Sequence, residues 1–194
     1  MLLRGDRVLF RRLSFEISAG ELLLLEGRNG SGKTSLLRAI VGLLHFEDGE
    51  LLWQGQATGK QRQEFSAATA WLAHRNGLKP DLTPIENLRF ESALAPVKSR
   101  DVDAALERLG VLRLRKLPVR ALSAGQQRRV AFARMLLSAA PLWLLDEPYT
   151  NLDREGRDLV TGIVAEHVAA GGMCMLAAHQ EVELDTPVQR LNLS

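Results

Sequence analysis

The chain has 194 residues, 46% hydrophobic and 25% charged, the balance of an ordinary globular domain with a real core. A net charge of +2 and a pI of about 9.0 are too mildly basic to argue for a nucleic-acid groove. A single cysteine, Cys174, excludes an intrachain disulfide and fits a reducing compartment.

No signal peptide is expected, since Arg4, Asp6 and Arg7 lie in the first ten residues. The longest apolar stretch, 135–145, contains Pro141 and is shorter than the about 20 residues of a membrane span. The expectation is a soluble protein whose membrane role, if any, comes through a partner. Residues 7–10 and 13–17 read as short strands of a small antiparallel layer. Residues 21–26 (ELLLLE) read as a buried strand and 35–44 as an apolar-faced helix, with GRNGSGKT between them. Residues 51–56 suggest another strand, 58–64 a polar surface loop, and 69–73 a buried parallel strand. Thr83-Pro84-Ile85-Glu86 has the residues of a helix start: Thr as N-cap, Pro at the first helical position, and Glu closing a capping box.

Leu88, Phe90 and Leu94 continue that helix to residues 95–98. Val102, Leu106 and Leu109 stripe a second, closed by Gly110. A basic connector, 111–121, leads to a third over 125–138. Strands at 142–145 and 173–178, a helix over 154–170 and an edge strand at 188–191 complete the pattern. Strands alternating with helices predict an α/β fold with a mostly parallel sheet. The chain reads as one domain over 1–194, with a helical subdomain over about 83–138 inserted in it.

Gly27, Arg28, Asn29, Gly30, Ser31, Gly32, Lys33 and Thr34 fit G-x-x-x-x-G-K-[ST], and the strand before and helix after them supply the context that the pattern requires. Glycines let successive amides surround an anion at a helix N-terminus. Lys33 then reaches the β- and γ-phosphates, and Thr34 takes a place on Mg²⁺. Ser35 completes the nucleotide-binding set. The strand 142–145 ends in Asp146 and Glu147. An Asp there can bind the magnesium of a bound nucleotide, and the next Glu can accept a proton from the attacking water. Leu122-Ser123-Ala124-Gly125-Gln126 precedes a helix, and Ser123 and Gln126 have capping-box spacing. Cys174 reads as a small core residue.

LSAGQ resembles the signature motif of ATP-binding-cassette (ABC) ATPases. GRNGSGKT resembles their Walker A motif, LWLLDE their Walker B, Asn151-Leu152-Asp153 their D-loop, and His179 their switch histidine. The motifs stand in the family's order over essentially the whole chain. Segments 52–56, 82–90, 122–129 and 178–180 are further similar to the ATP-binding subunits of the haem exporter of bacterial c-type cytochrome biogenesis, as is His74, where most ABC ATPases carry glutamine.

The resemblance implies a P-loop ABC ATPase fold with a small N-terminal antiparallel layer, and a head-to-tail homodimer with ATP and Mg²⁺ as ligands. Ser123, Gly125, Gln126 and Asp153 would contact the nucleotide of the opposite subunit. Glu147, His179 and Lys33 would be catalytic, Thr34 and Asp146 would hold Mg²⁺, and His74 would serve coupling. Implied partners are integral membrane haem-exporter subunits of the CcmB and CcmC type, at the cytoplasmic face of the bacterial inner membrane, where this subunit is peripheral. The driven process would be haem delivery or release of a haem-loaded chaperone. No nucleic-acid partner is expected. No direct haem binding is expected either, the histidines 45, 74, 167 and 179 being scattered.

Two departures accompany it. Family members begin with a strand ahead of residue 1, so the small layer is expected to lack one. The position of their adenine-stacking aromatic falls near Arg4, a planar guanidinium that can also stack. The alternative is a soluble cluster-assembly type of ABC ATPase without a transport partner. Coiled-coil DNA-maintenance members are disfavoured by the short interval between Walker A and signature, and a small-metabolite kinase by LSAGQ together with Asp146-Glu147.

Overall fold

The strands that carry the site are apolar on both faces, so they need cover on both sides. The computed structural model describes residues 1–4, 7–94, 101–178 and 188–193. β1 (Leu2–Arg4) and β2 (Arg7–Phe10) pair antiparallel. β3 (Leu22–Glu26) enters the glycine loop and α1 (Lys33–Ile40) leaves it. A hairpin of β4 (Leu52–Trp53) and β5 (Gln56–Ala57) precedes α2 (Arg62–Ala67) and β6 (Thr69–Leu72). The helical block holds α3 (Pro84–Leu94), α4 (Val102–Arg108), 3₁₀ turns at Leu112–Leu114 and Val119–Ala121, and α5 (Ala124–Leu137). β7 (Leu142–Asp146), α6 (Arg154–Ala169), β8 (Met173–Ala177) and β9 (Val188–Asn192) follow.

Among the described residues the central sheet runs β6-β7-β8-β3-β9, with every neighbouring pair parallel. Side chains alternate across it as the pleat requires. Leu22, Leu24, Trp143, Leu145, Cys174 and Leu176 face one layer, where Leu88, Leu106, Val130, Phe132 and Val164 join them from α3 to α6. Leu23, Leu25, Leu142, Leu144, Met175 and Ala177 face the other, beneath Leu36, Leu37 and Ile40 of α1 and Phe65 of α2. Each leucine so buried contributes about 1.5–3 kcal/mol. Cys174 is buried in the first layer, and burial pushes its thiol far up.

Four expectations change. Residues 13–17 form no strand. Leu13, Phe15 and Ile17 do alternate inward against the second layer, so the period-2 signal marked burial rather than pairing. Residues 51–56 are a tight hairpin, because Gln54 (φ 50°) and Gly55 (φ 77°) take the left-handed pair of a two-residue turn. The segment read as loop over 58–64 runs into α2, whose only buried residue is Phe65, leaving too little apolar signal to see. β6 is an edge strand and only half-buried. The extra strand β1 was not foreseen, and residues 95–98 lie outside the described set.

Candidate functional site

The glycine loop and the two carboxylates hang from the C-terminal ends of β3 and β7. β3 delivers the glycine loop. Gly32 is the N-cap of α1 with φ 109°, and no side chain caps that helix or puts acid in its first turn, which leaves the N-terminus suited to an anion. A Cβ on Gly32 would lie 2.5 Å from Cζ of Phe10, so the end of β2 is packed onto the loop. The Lys33 Nζ donates to the carbonyl of Gly27 at 2.6 Å and to that of Arg28 at 3.4 Å. It is 5% exposed and stays folded over the loop it belongs to. The Ser31 hydroxyl oxygen is buried without a hydrogen-bond partner among the described residues.

β7 delivers Asp146, which is 1% exposed. The Thr34 hydroxyl donates to its Oδ1 at 2.9 Å, so the two residues expected to hold magnesium touch. The Asp146 Oδ2 is buried with no hydrogen-bond partner among the described residues, a costly state for a carboxylate oxygen. Two hard oxygen donors, one of them unsatisfied, fit Mg²⁺. Among the described residues no cluster of three or more His, Cys, Asp or Glu can hold a metal. Glu147 follows with φ 51°, a left-handed backbone that costs a non-glycine residue about 1–2 kcal/mol. Its N–H donates to Ala177 O at 2.8 Å, tying it to β8.

The signature segment is built as a capped helix. The Ser123 Oγ accepts from the Gln126 N–H at 3.2 Å, and the Gln126 Oε1 accepts from the Ser123 N–H at 2.9 Å. Gly125 meets the 151–153 turn so closely that a Cβ would lie 2.6 Å from the Asn151 carbonyl oxygen. Asp153 caps α6, its Oδ1 accepting from Gly156 N and from Arg129 Nη2, both at 2.9 Å. Those bonds hold its carboxyl below the usual range, the backbone one most strongly. Ser123 and Asp153 remain on the exposed surface.

His74 is also exposed, on the loop after β6. His179 lies outside the described residues, and so does the side chain of Arg4. Sequence reasoning missed Arg128. It is 1% exposed inside α5 and reaches the carbonyls that follow β7 and β6. The available signal was a cation on the same helical face as Phe132 and Met135, at spacings of 4 and 7.

The model of the family described as ABC transporter matches residues 10–150. The cytochrome c biogenesis ATP-binding export protein CcmA of Haemophilus influenzae is 43% identical, covering 98% of this chain and 91% of its own. The protein of the same name from Vibrio cholerae is 45% identical, over 97% and 92%. A solved Pyrococcus furiosus structure, described as a putative ABC transporter ATP-binding protein, superposes with a TM-score of 0.83 at 27% identity, over 97% of this chain and 92% of that one. Parallel sheet, glycine loop and strand-end acids agree with these matches: the chain belongs to the ABC transporter family of ATP-binding proteins, alongside the CcmA export ATPases.

Proposed function

We propose that this chain is the ATP-hydrolysing subunit of a membrane complex that exports haem, or releases a haem-loaded chaperone, during c-type cytochrome assembly. The observation that carries the hydrolytic part is the Thr34–Asp146 contact beneath the glycine loop, with Asp146 Oδ2 unsatisfied among the described residues and Glu147 next in the chain. The names of the export relatives, matched over nearly the whole chain, support the process. Among the described residues no helix is long and apolar enough to cross a membrane; the partners that cross it are of the CcmB and CcmC type.

Two copies pair head to tail in a self-complementary dimer. Each ATP lies between one copy's residues 27–35 and the other's Ser123, Gly125, Gln126 and Asp153. Lys33 exchanges the carbonyls of Gly27 and Arg28 for phosphate oxygens. Closure excludes water, so the loop amides and Lys33 act on the developing charge in a lower dielectric. Thr34 and Asp146 would hold Mg²⁺, which would supply charge neutralisation at the phosphates. Glu147 takes the proton of the attacking water, and His179 contacts the γ-phosphate. Hydrolysis loosens the dimer, and the region from His74 to Arg89 carries the motion to a membrane subunit at the cytoplasmic face of the inner membrane. Phe90, 48% exposed with Lys79 Nζ 3.5 Å from its ring centre, gives that face an amphipathic contact.

Glu147→Gln is the test: ATP binding and nucleotide-dependent dimerisation persist while turnover drops at least about 10²-fold. Turnover close to that of the unmodified chain removes Glu147 as the base. Recovery from solubilised membranes with integral haem-exporter subunits tests the assignment of partners, and recovery from the soluble fraction alone contradicts it.

A further inference from the structure

Arginine has five N–H donors in a planar fork, and those of Arg128 have five acceptors. Its Nε donates to the Pro148 carbonyl at 3.2 Å, and its Nη2 to the carbonyls of Asp146 and Glu147, each at 2.8 Å. Its Nη1 turns the other way, to the Ala73 carbonyl at 2.9 Å and the Asn76 Oδ1 at 3.0 Å. One side chain of α5 therefore holds three successive carbonyls at the end of β7 and both flanks of the loop that exposes His74. A second α5 residue, Arg134, donates through Nη2 to the Asn76 carbonyl at 2.7 Å, so the loop is fastened to the helix at two points.

A buried cation could be only a core fixture, but its acceptors argue otherwise. Burial pulls the guanidinium down to about 10, against the attraction of the Asp146 and Glu147 charges, so it stays charged at neutral pH, and its hydrogen bonds go to backbone carbonyls and one side-chain amide rather than to a carboxylate. An ion pair would stabilise one point, whereas five carbonyl and amide oxygens from two separate segments fix the segments relative to each other. The connection is short. Ala73 and Asn76 on one side and the peptide groups around Glu147 on the other are bonded to one rigid guanidinium plane.

We propose that Arg128 is a positioning residue that locks the 73–76 loop to the peptide groups of Asp146, Glu147 and Pro148, so that the loop's position sets that of Glu147. The proposal rests on the reading of Glu147 as the base and of the region from His74 to Arg89 as the contact with the membrane subunits. It concerns the link, not either end.

A double-mutant cycle on steady-state ATP turnover by the full chain tests it. Asn76→Ala removes one acceptor on the loop side, and Arg128→Lys keeps the charge but loses the fork. Each is expected to lower kcat at least about 10-fold with KM for ATP changed less than about twofold. The double variant should be no worse than Arg128→Lys alone, and Asn76→Asp, which keeps an acceptor oxygen, should recover most of the loss. A purely structural Arg128 lowers the unfolding midpoint while kcat per folded molecule stays unchanged, and that result overturns the proposal. Losses that multiply in the double variant overturn it as well. Should Arg128→Lys fail to fold, the contrast of Asn76→Ala with Asn76→Asp decides alone. Failure of Glu147 as base would show separately, as retained turnover in Glu147→Gln with the Arg128–Asn76 coupling intact.

Discussion

Gly125 illustrates how one residue answers to two constraints. It lies in the motif expected to meet a nucleotide across the dimer, yet its own chain already forbids a side chain there, since a Cβ would press on the Asn151 carbonyl oxygen. Backbone cannot swing aside as a flexible side chain can, so Gly125→Ala is expected to cost about 1–3 kcal/mol in urea unfolding. Turnover should fall while the affinity of the separate subunit for ATP, measured by a fluorescent analogue, stays the same. Glu147 is the second residue-scale case. Its left-handed backbone means that Glu147→Gly and Glu147→Ala lose the same carboxylate, but only glycine relieves the strain. Glu147→Gly should unfold about 1 kcal/mol later than Glu147→Ala in chemical denaturation.

At the scale of elements, α6 is fixed to the sheet through His167. Its ring stacks on Trp143 of β7 at 3.9 Å between centroids and 6° between planes. The Nε2 lies 3.2 Å from the Pro141 carbonyl oxygen and 3.3 Å from that of Met173, so it donates there in the neutral tautomer. Burial, the largest influence, pulls the imidazole below its ordinary value against those two bonds. A folded-state value below the unfolded one means stability that is complete above about pH 6.5 and is lost as the pH falls through the lower folded value. Thermal midpoints should therefore decline on acidification through that window, and His167→Phe should flatten this part of the profile. An identical decline in His167→Phe assigns the acid sensitivity to other groups.

For the molecule as a whole, the decisive prediction is compositional. Lys33→Ala and Ser123→Arg protomers, each inactive by itself, should regain a measurable part of wild-type turnover when mixed, because a mixed pair assembles one intact composite pocket. Absence of recovery in a mixture shown by light scattering to dimerise with ATP would remove the shared site. Asp146→Asn belongs to the same test of assembly. It should retain Thr34 contact through the amide but lose magnesium dependence of ATP binding, read by titrating the metal at fixed nucleotide.

What the chain determined by itself is the chemistry that lies in continuous segments. GRNGSGKT, the strand that ends in Asp146-Glu147 and the capped start at Ser123 were legible because strand, turn and cap are local choices of backbone and side chain. The buried strands β3, β7 and β8 were legible as continuous apolar runs, although which layer each side chain faces was not. Tertiary structure alone decided which distant pieces meet. It set Phe10 over Gly32, Gly125 against Asn151, and Arg128 between two loops, none of which a local pattern encodes. It also left residues 13–17 without a strand partner among the described residues despite their period, because alternation reports which side chains are buried and says nothing of whether a neighbouring strand lies within hydrogen-bonding reach.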